Sequence, residues 1–284
     1  MGTAHIGYRL TLRMAAAGRR GRHGFTLLEL LIVIAMMSML IAIILSSLRG
    51  ARAQAKRTSC VANLRGIGSA WNMYLVDFDG RFLKGINSNW NYGGKQGNGG
   101  PAYGSFATNP AKPDVFSPAI SKPLNPYLNY EEIVFDTAEA LHCPADRGGA
   151  DVPTVHYDYK GTSYATNLML VGQSQLAVRG FDPCKAMIRQ VNRYLPSLKL
   201  HQISRPASVI MIGDGGWLNA WDIGAIAEFA WHESKRKFNV TFLDGHVEFL
   251  RVRKGLHATA EYDVLPFREL IDDALACQVE VKDD

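Results

Sequence analysis

Arg22-His-Gly-Phe-Thr-Leu-Leu-Glu-Leu-Leu-Ile-Val-Ile-Ala-Met-Met-Ser-Met-Leu-Ile-Ala-Ile-Ile-Leu-Ser-Ser-Leu48 decides how the rest of the chain is read. Between Phe25 and Leu48 the only charge is Glu29. At about 1.5 Å per residue, a helix of this length crosses the roughly 30 Å hydrocarbon core of a bilayer. A carboxylate in such a helix is unfavourable by about 2.5–3.5 kcal/mol at mid-bilayer and less near the interface. Glu29 therefore requires either an interfacial position, as in an ordinary signal anchor, or a partner.

Working outward, the chain of 284 residues, 47% hydrophobic, accommodates one sizeable domain plus an anchor. Its net charge of +5 first points to a nucleic-acid partner. Position removes that reading. Of the 31 Lys and Arg residues, Arg9, Arg13, Arg19, Arg20 and Arg22 precede the apolar stretch, and the other 26 balance 26 acids. Five arginines before the segment face Arg49, Arg52, Lys56, Arg57 and Arg65 after it, so the positive-inside comparison is a tie. A usual secretory signal is disfavoured by the apolar length and by the missing small-x-small cleavage site. The four cysteines, Cys60, Cys143, Cys184 and Cys277, contain no Cys-x-x-Cys pair, which argues against a zinc ribbon or thioredoxin-type site. They are read as buried thiols or as one or two bridges.

Beyond the apolar stretch, Cys60, Leu64, Ile67, Trp71, Tyr74 or Leu75, and Phe78 recur three and four apart. This predicts one helix from Phe25 to Phe78, with residues 25–48 in the membrane and 49–78 as an amphipathic continuation. Gly66 and Gly68 weaken it locally. Asp77-Phe-Asp-Gly80 ends it, and the Gly/Asn/Pro-rich stretch 85–113 reads as a surface loop whose Trp90, Tyr92 and Tyr103 serve as anchors or as a binding surface. Strands are expected over Ser163–Val171, Ser208–Gly213, Lys237–Leu243 and His246–Val252, with Asp244-Gly245 as a two-residue hairpin turn. Short helices are expected over about 183–194, capped by Asp182, and about 266–276. The fold class is α+β: a long N-terminal helix on a mostly antiparallel sheet, with residues 79–284 as the globular domain.

The order Gly24, Phe25, Thr26-Leu27-Leu28-Glu29 and then an unbroken apolar run resembles the N-terminal signal of type IV prepilins and type II secretion pseudopilins. The resemblance implies cleavage of a basic leader, residues 1–24, after Gly24 by a cytoplasmically facing prepilin peptidase, and N-methylation at Phe25. It also implies a body on the extracytoplasmic side, and pairing of Glu29 with the N-terminal ammonium of a neighbouring subunit. Further fragments resemble pseudopilin-like proteins with a C-terminal His-x9-Asp-Gly domain. They are Cys60-Val-Ala-Asn-Leu-Arg65, Tyr74 with Asp77–Gly80, His142-Cys-Pro-Ala-Asp146, Ser163-Tyr-Ala-Thr-Asn167, Arg205 through Asp214, and His232…Asp244-Gly245-His246-Val247. Here eleven residues, not nine, separate His232 from Asp244. The shared fragments carry Cys60 and Cys143, so the resemblance implies a Cys60–Cys143 bridge, with Cys184–Cys277 following.

Candidate chemistry is sparse. His232-Glu233 lacks the second histidine of a His-Glu-x-x-His zinc site. Asp214, Asp244 and His246, or His232, follow strands and are the candidate metal ligands, Ca²⁺ suiting the carboxylates and Zn²⁺ the imidazoles, although Asp-Gly is also ordinary turn chemistry. Asp77-Phe-Asp-Gly80 lacks the remaining ligands of a calcium loop. A nucleophile elbow, Walker A loop and dinucleotide fingerprint are absent from the sequence. The expectation is a non-enzymatic pseudopilin without cofactor, apart from a structural Ca²⁺ as a lesser option. It would be single-pass in the cytoplasmic membrane, with the prepilin peptidase, other pilin subunits and an ATPase-driven inner-membrane platform as partners. The alternatives are a surface adhesin or polysaccharide binder using the aromatic loop at 90–103, and an envelope hydrolase with Asp214, His232 and Asp244 in one cleft.

Overall fold

A computed structural model describes residues 24–83, 90–99, 120–149, 152–171, 198–221, 231–232, 236–267 and 271–280. The expected helix over about 183–194 lies outside them. The chain divides into two units, Met1–Arg49 and Gly50–Asp284. Helix α1, Leu27–Asp77, is continuous in the backbone and contributes to both.

In the first unit α1 is apolar all round. Leu30, Leu31, Ile32, Ile34, Met36 and Met37 are all exposed, although consecutive residues of a helix point to different faces. Such a surface matches hydrocarbon rather than water, and α1 is long and apolar enough to cross a membrane. Two serine hydroxyls are satisfied internally, Ser38 Oγ donating to the Ile34 carbonyl at 2.7 Å and Ser47 Oγ to the Ile44 carbonyl at 3.0 Å. Backbone carbonyls of the same helix are the partners available where water is excluded.

In the second unit the periodic stripe is the buried face: Cys60, Leu64, Ile67, Trp71, Tyr74 and Leu75 all lie in the core. Phe78 is a correction to the predicted stripe. It lies one residue past the helix, is half exposed, and stacks on Tyr74 with ring centroids 4.3 Å apart. Asp79 and Gly80 take positive φ, and the Gly80 N–H returns to the Leu75 carbonyl at 2.6 Å, closing the orphan carbonyls of the last turn. Asp77 accepts from the Tyr127 hydroxyl and Asp79 pairs with Lys199, so both carboxylates serve this helix end.

The sheet is antiparallel in the order β1-β2-β3-β4, with β1 Tyr164–Thr166, β2 Ile210–Asp214, β3 Lys237–Phe242 and β4 Val247–Arg251. From Phe238 onward β3 is buried at every position, because both of its faces are covered. Helix α1 approaches it closely: a Cβ on Gly68 would stand 2.8 Å from Thr241 Cγ2, and Thr241 Oγ1 donates to the Leu64 carbonyl at 3.3 Å. Gly68 is thus a packing residue, whereas a Cβ on Gly66 meets open space.

Two local expectations are revised. The segment Ser163–Val171 is a strand only as far as Thr166, and Leu168–Val171 turns as a short helix, α3, after the five-residue α2, His156–Lys160. The cause is Asn167, whose Oδ1 accepts the Met169 N–H at 2.9 Å, a local bond that competes with the ladder. The β3–β4 connection has three residues, Leu243-Asp244-Gly245, rather than two. Phe242 pairs with His246, the Gly245 N–H returns to Phe242 at 2.9 Å, and Gly245 takes φ +92°. Helices α4, Trp217–Trp221, and α5, Ile271–Cys277, are also described, α5 overlapping the span expected near 266–276.

Candidate functional site

The two units each hold one arrangement with chemical content. In the first, Thr26 precedes α1 and Glu29 is its third residue. The Thr26 N–H and hydroxyl both donate to Glu29 Oε2 at 2.8 Å, and the Glu29 N–H returns to Thr26 Oγ1 at 3.2 Å. This is a capping box, which satisfies two of the otherwise orphaned donors at a helix start. The carboxylate that looked anomalous in an apolar run has a local partner two residues from the Gly24-Phe25 junction. Thr-x-x-Glu is the sequence signature of such a box, and here it overlaps the signal that follows Gly24.

In the second unit, four side chains from four separate segments converge. Cys60 on α1 is joined by a disulfide to Cys143, which follows the helical turn Glu139–Leu141, with Cα atoms 5.2 Å apart. His232 Nε2 lies 3.7 Å from Cys143 Sγ and 3.4 Å from Asp214 Oδ2 at the end of β2. One ligand atom from each of the four lies within 4.8 Å of all the others. The site is sealed: both cysteines are fully buried, and the His232 and Asp214 side chains are 2% exposed. Asp214 Oδ2 accepts from the Asn239 backbone N–H at 2.8 Å and from Asn239 Nδ2 at 3.0 Å, while Oδ1 has no hydrogen-bond partner among the described residues. Burial, and then the nearby Asp214 charge, raise the Tyr164 phenol well above its usual range.

The surrounding polar network is built from the sequence fragments singled out above. Asn63 Nδ2, one turn beyond Cys60, donates to the His142 carbonyl at 2.8 Å and to the Tyr164 hydroxyl at 3.2 Å. Asp146 accepts four bonds: Oδ1 from the N–H groups of Gly148 and His156, and Oδ2 from the Tyr157 N–H and, at 2.7 Å, from Ser163 Oγ. Ser163 Oγ in turn accepts the Cys143 N–H at 3.1 Å. Asn167 Nδ2 ties β2 to the C-terminal segment through the Ile210 and Val264 carbonyls. Asn63, Asp146, Tyr164 and Asn239 were not expected as site residues. Burial beside the bridge, invisible to local pattern, is what identifies them.

The remaining sequence candidates fall elsewhere. Asp244 pairs with His246, Oδ1 to Nδ1 at 2.5 Å, on the partly exposed hairpin. Neither joins the Asp214–His232 cluster, so the structure does not assemble the ligand set Asp214, Asp244 and His246, nor the cleft of Asp214, His232 and Asp244. Cys277 is disulfide-bonded, and Cys184 lies outside the described residues. Trp90 and Tyr92 are interior. Trp90 sits edge-on to His156 with centroids 5.0 Å apart, and the Tyr92 hydroxyl donates to the Tyr164 carbonyl at 3.0 Å. They anchor their segment to the core rather than offering the exposed binding surface of the adhesin alternative. Tyr103 lies outside the described residues.

Comparison with known proteins returns the prokaryotic N-terminal methylation motif over residues 19–45. No curated protein and no solved structure matches the chain. The motif covers the Gly24-Phe25 junction and the capping box, and with the long apolar helix it supports a membrane-anchored, type IV pilin-like precursor.

Proposed function

We propose that this chain is a non-enzymatic pseudopilin. It is made as a prepilin, cleaved after Gly24 by the prepilin peptidase and N-methylated at Phe25. Residues 25–48 hold it in the cytoplasmic membrane, with the domain beyond on the extracytoplasmic side, until it joins a type II secretion or type IV pilus-like fibre. Other pilin-like subunits and an inner-membrane assembly platform driven by a cytoplasmic ATPase are its partners. The observation that carries this reading is the methylation motif at residues 19–45, which begins an apolar helix exposed on every face. An isolated helix surface of this kind is stable only in lipid or in a bundle of like helices.

The test is mass spectrometry of the mature N-terminus from cells with an active prepilin peptidase. N-methyl-Phe25 is the expected first residue. A chain that retains residues before Gly24 in those cells, while a known prepilin beside it is processed, overturns the proposal.

A further inference from the structure

We propose that Cys60, Cys143, His232 and Asp214 form a closed zinc site when the Cys60–Cys143 bridge is reduced, so that this one position holds either a disulfide or a metal ion. Zinc–ligand bonds of about 2.0–2.3 Å in a tetrahedron place neighbouring ligand atoms roughly 3.3–3.8 Å apart. The His232 Nε2 to Asp214 Oδ2 distance of 3.4 Å and the His232 Nε2 to Cys143 Sγ distance of 3.7 Å already have that spacing. Once the S–S bond is cut, the sulfurs must separate to roughly 3.8 Å to complete the tetrahedron, by rotation of the two side chains about Cα atoms 5.2 Å apart.

The donor set selects the metal. Two thiolates, an imidazole and one carboxylate oxygen suit Zn²⁺ and not Ca²⁺ or Mg²⁺, which take oxygen ligands. The surroundings are those of a structural site: four protein ligands, no side chain open to solvent, and an outer shell in which Asn239 fixes the Asp214 carboxylate through two hydrogen bonds. Asp214 is buried, no lysine or arginine pairs with it among the described residues, and the group that faces its Oδ2 at 3.4 Å is the His232 imidazole, itself a ligand of the proposed site.

The exchange balances. A dithiol reductant gives two electrons and two protons to the bridge and closes to its own disulfide, leaving two thiols. Zn²⁺ entry releases the two thiol protons. Reoxidation by a disulfide-bearing partner runs the sequence in reverse and expels the ion. A chain that folds before its cysteines are oxidised thus has a second way to tie α1 to the Cys143 segment.

Cobalt(II) tests this, as a coloured stand-in for zinc, with the full chain in detergent. After reduction under argon, one cobalt per chain is expected, with thiolate-to-cobalt charge-transfer absorption and a tetrahedral ligand-field band, both erased by equimolar Zn²⁺. The oxidised chain shows neither band. His232→Ala and Asp214→Asn each weaken cobalt binding by at least about ten-fold. The inference is overturned if the reduced wild-type chain takes up no cobalt. It is equally overturned if the oxidised chain binds as well as the reduced one, or if both variants, folded by circular dichroism, bind as tightly as wild type.

Discussion

In the first unit Thr26 bonds to Glu29 three positions away and Ser38 bonds to Ile34 four away; in the second, Asn63 reaches His142 across 79 positions and Thr241 reaches Leu64 across 177. The difference follows from the surroundings. Residues 25–48 present an apolar surface that offers no hydrogen-bonding partner, and the described polar groups Thr26, Glu29, Ser38 and Ser47 bond locally along the same helix. The second unit excludes water by packing distant segments together, and its buried polar groups are satisfied across those segments. If this contrast is sound, perturbing the long-range network will disturb the domain and leave N-terminal processing intact, and perturbing the capping box will do the reverse.

The largest effect is expected at the bridge. It closes a loop of 83 positions, which the chain-entropy account values at about 4–5 kcal/mol. The double variant Cys60→Ala/Cys143→Ala lowers the urea midpoint of the domain transition, followed by tryptophan fluorescence, by a corresponding amount. Cleavage after Gly24 continues at the wild-type rate. A processing defect in this variant would break the separation between the two regions.

Next in size is a pH effect from Lys122. Its ammonium is fully buried, donates to Asn91 Oδ1 at 2.8 Å, and burial pulls its pKa down to about 7. The unfolded chain keeps that proton to about pH 10.4. Between about pH 7 and 10 the unfolded state therefore binds more protons, and stability rises with pH. The gain from pH 7 to pH 9 is about 2 kcal/mol, and below about pH 7 the penalty is fully present. Urea titrations at pH 7, 8 and 9 check the slope, which Lys122→Met abolishes.

The same contrast of range explains what was legible beforehand. The apolar run, the Gly24-Phe25 junction and the 3–4 spacing from Cys60 to Leu75 are local patterns, and so are the four strands, although the first of them ends at Thr166, where Asn167 turns the chain. The site was legible only in pieces. Cys60, Cys143, Asp214 and His232 each carry a sequence signal, but the strand-end pattern joins Asp214 to Asp244 as well, with His232 or His246 beside them, and does not link the pair to the cysteines. The structure uses Asp244-Gly245 for a bulged turn and Asp214 for a buried pair with His232. Turn chemistry and ligand chemistry look alike in sequence, and only the packing of α1 against β3 decides which aspartate is interior. Asn63 and Asn239 had no local signal.

A smaller effect separates two glycines on α1. Gly66→Ala gains helix propensity into open space and is expected to stabilise the domain by up to about 1 kcal/mol. Gly68→Ala drives a methyl to 2.8 Å from Thr241 Cγ2, and the strain outweighs the propensity gain by about 1 kcal/mol. Opposite shifts in the urea midpoint support the close approach of helix and strand. Shifts of the same sign contradict it.

The smallest effect on folding is expected at the N-terminus, and it is the most informative about assembly. Thr26→Ala removes both bonds of the hydroxyl and leaves only the backbone N–H of residue 26 on Glu29, so amide exchange in residues 27–30 quickens by about five-fold in detergent while the domain transition stays fixed. Glu29→Gln retains a side-chain oxygen that caps as a glutamine does, but it discards the charge. If the carboxylate acts only as a cap, Thr26→Ala impairs fibre assembly and Glu29→Gln does not. If it also pairs with the ammonium of a neighbouring Phe25, Glu29→Gln is the variant that fails to assemble, with its N-terminal exchange unchanged. In that case the Thr26–Glu29 bonds hold the carboxylate ready in the unassembled chain, and subunit entry exchanges a local partner for one on another chain.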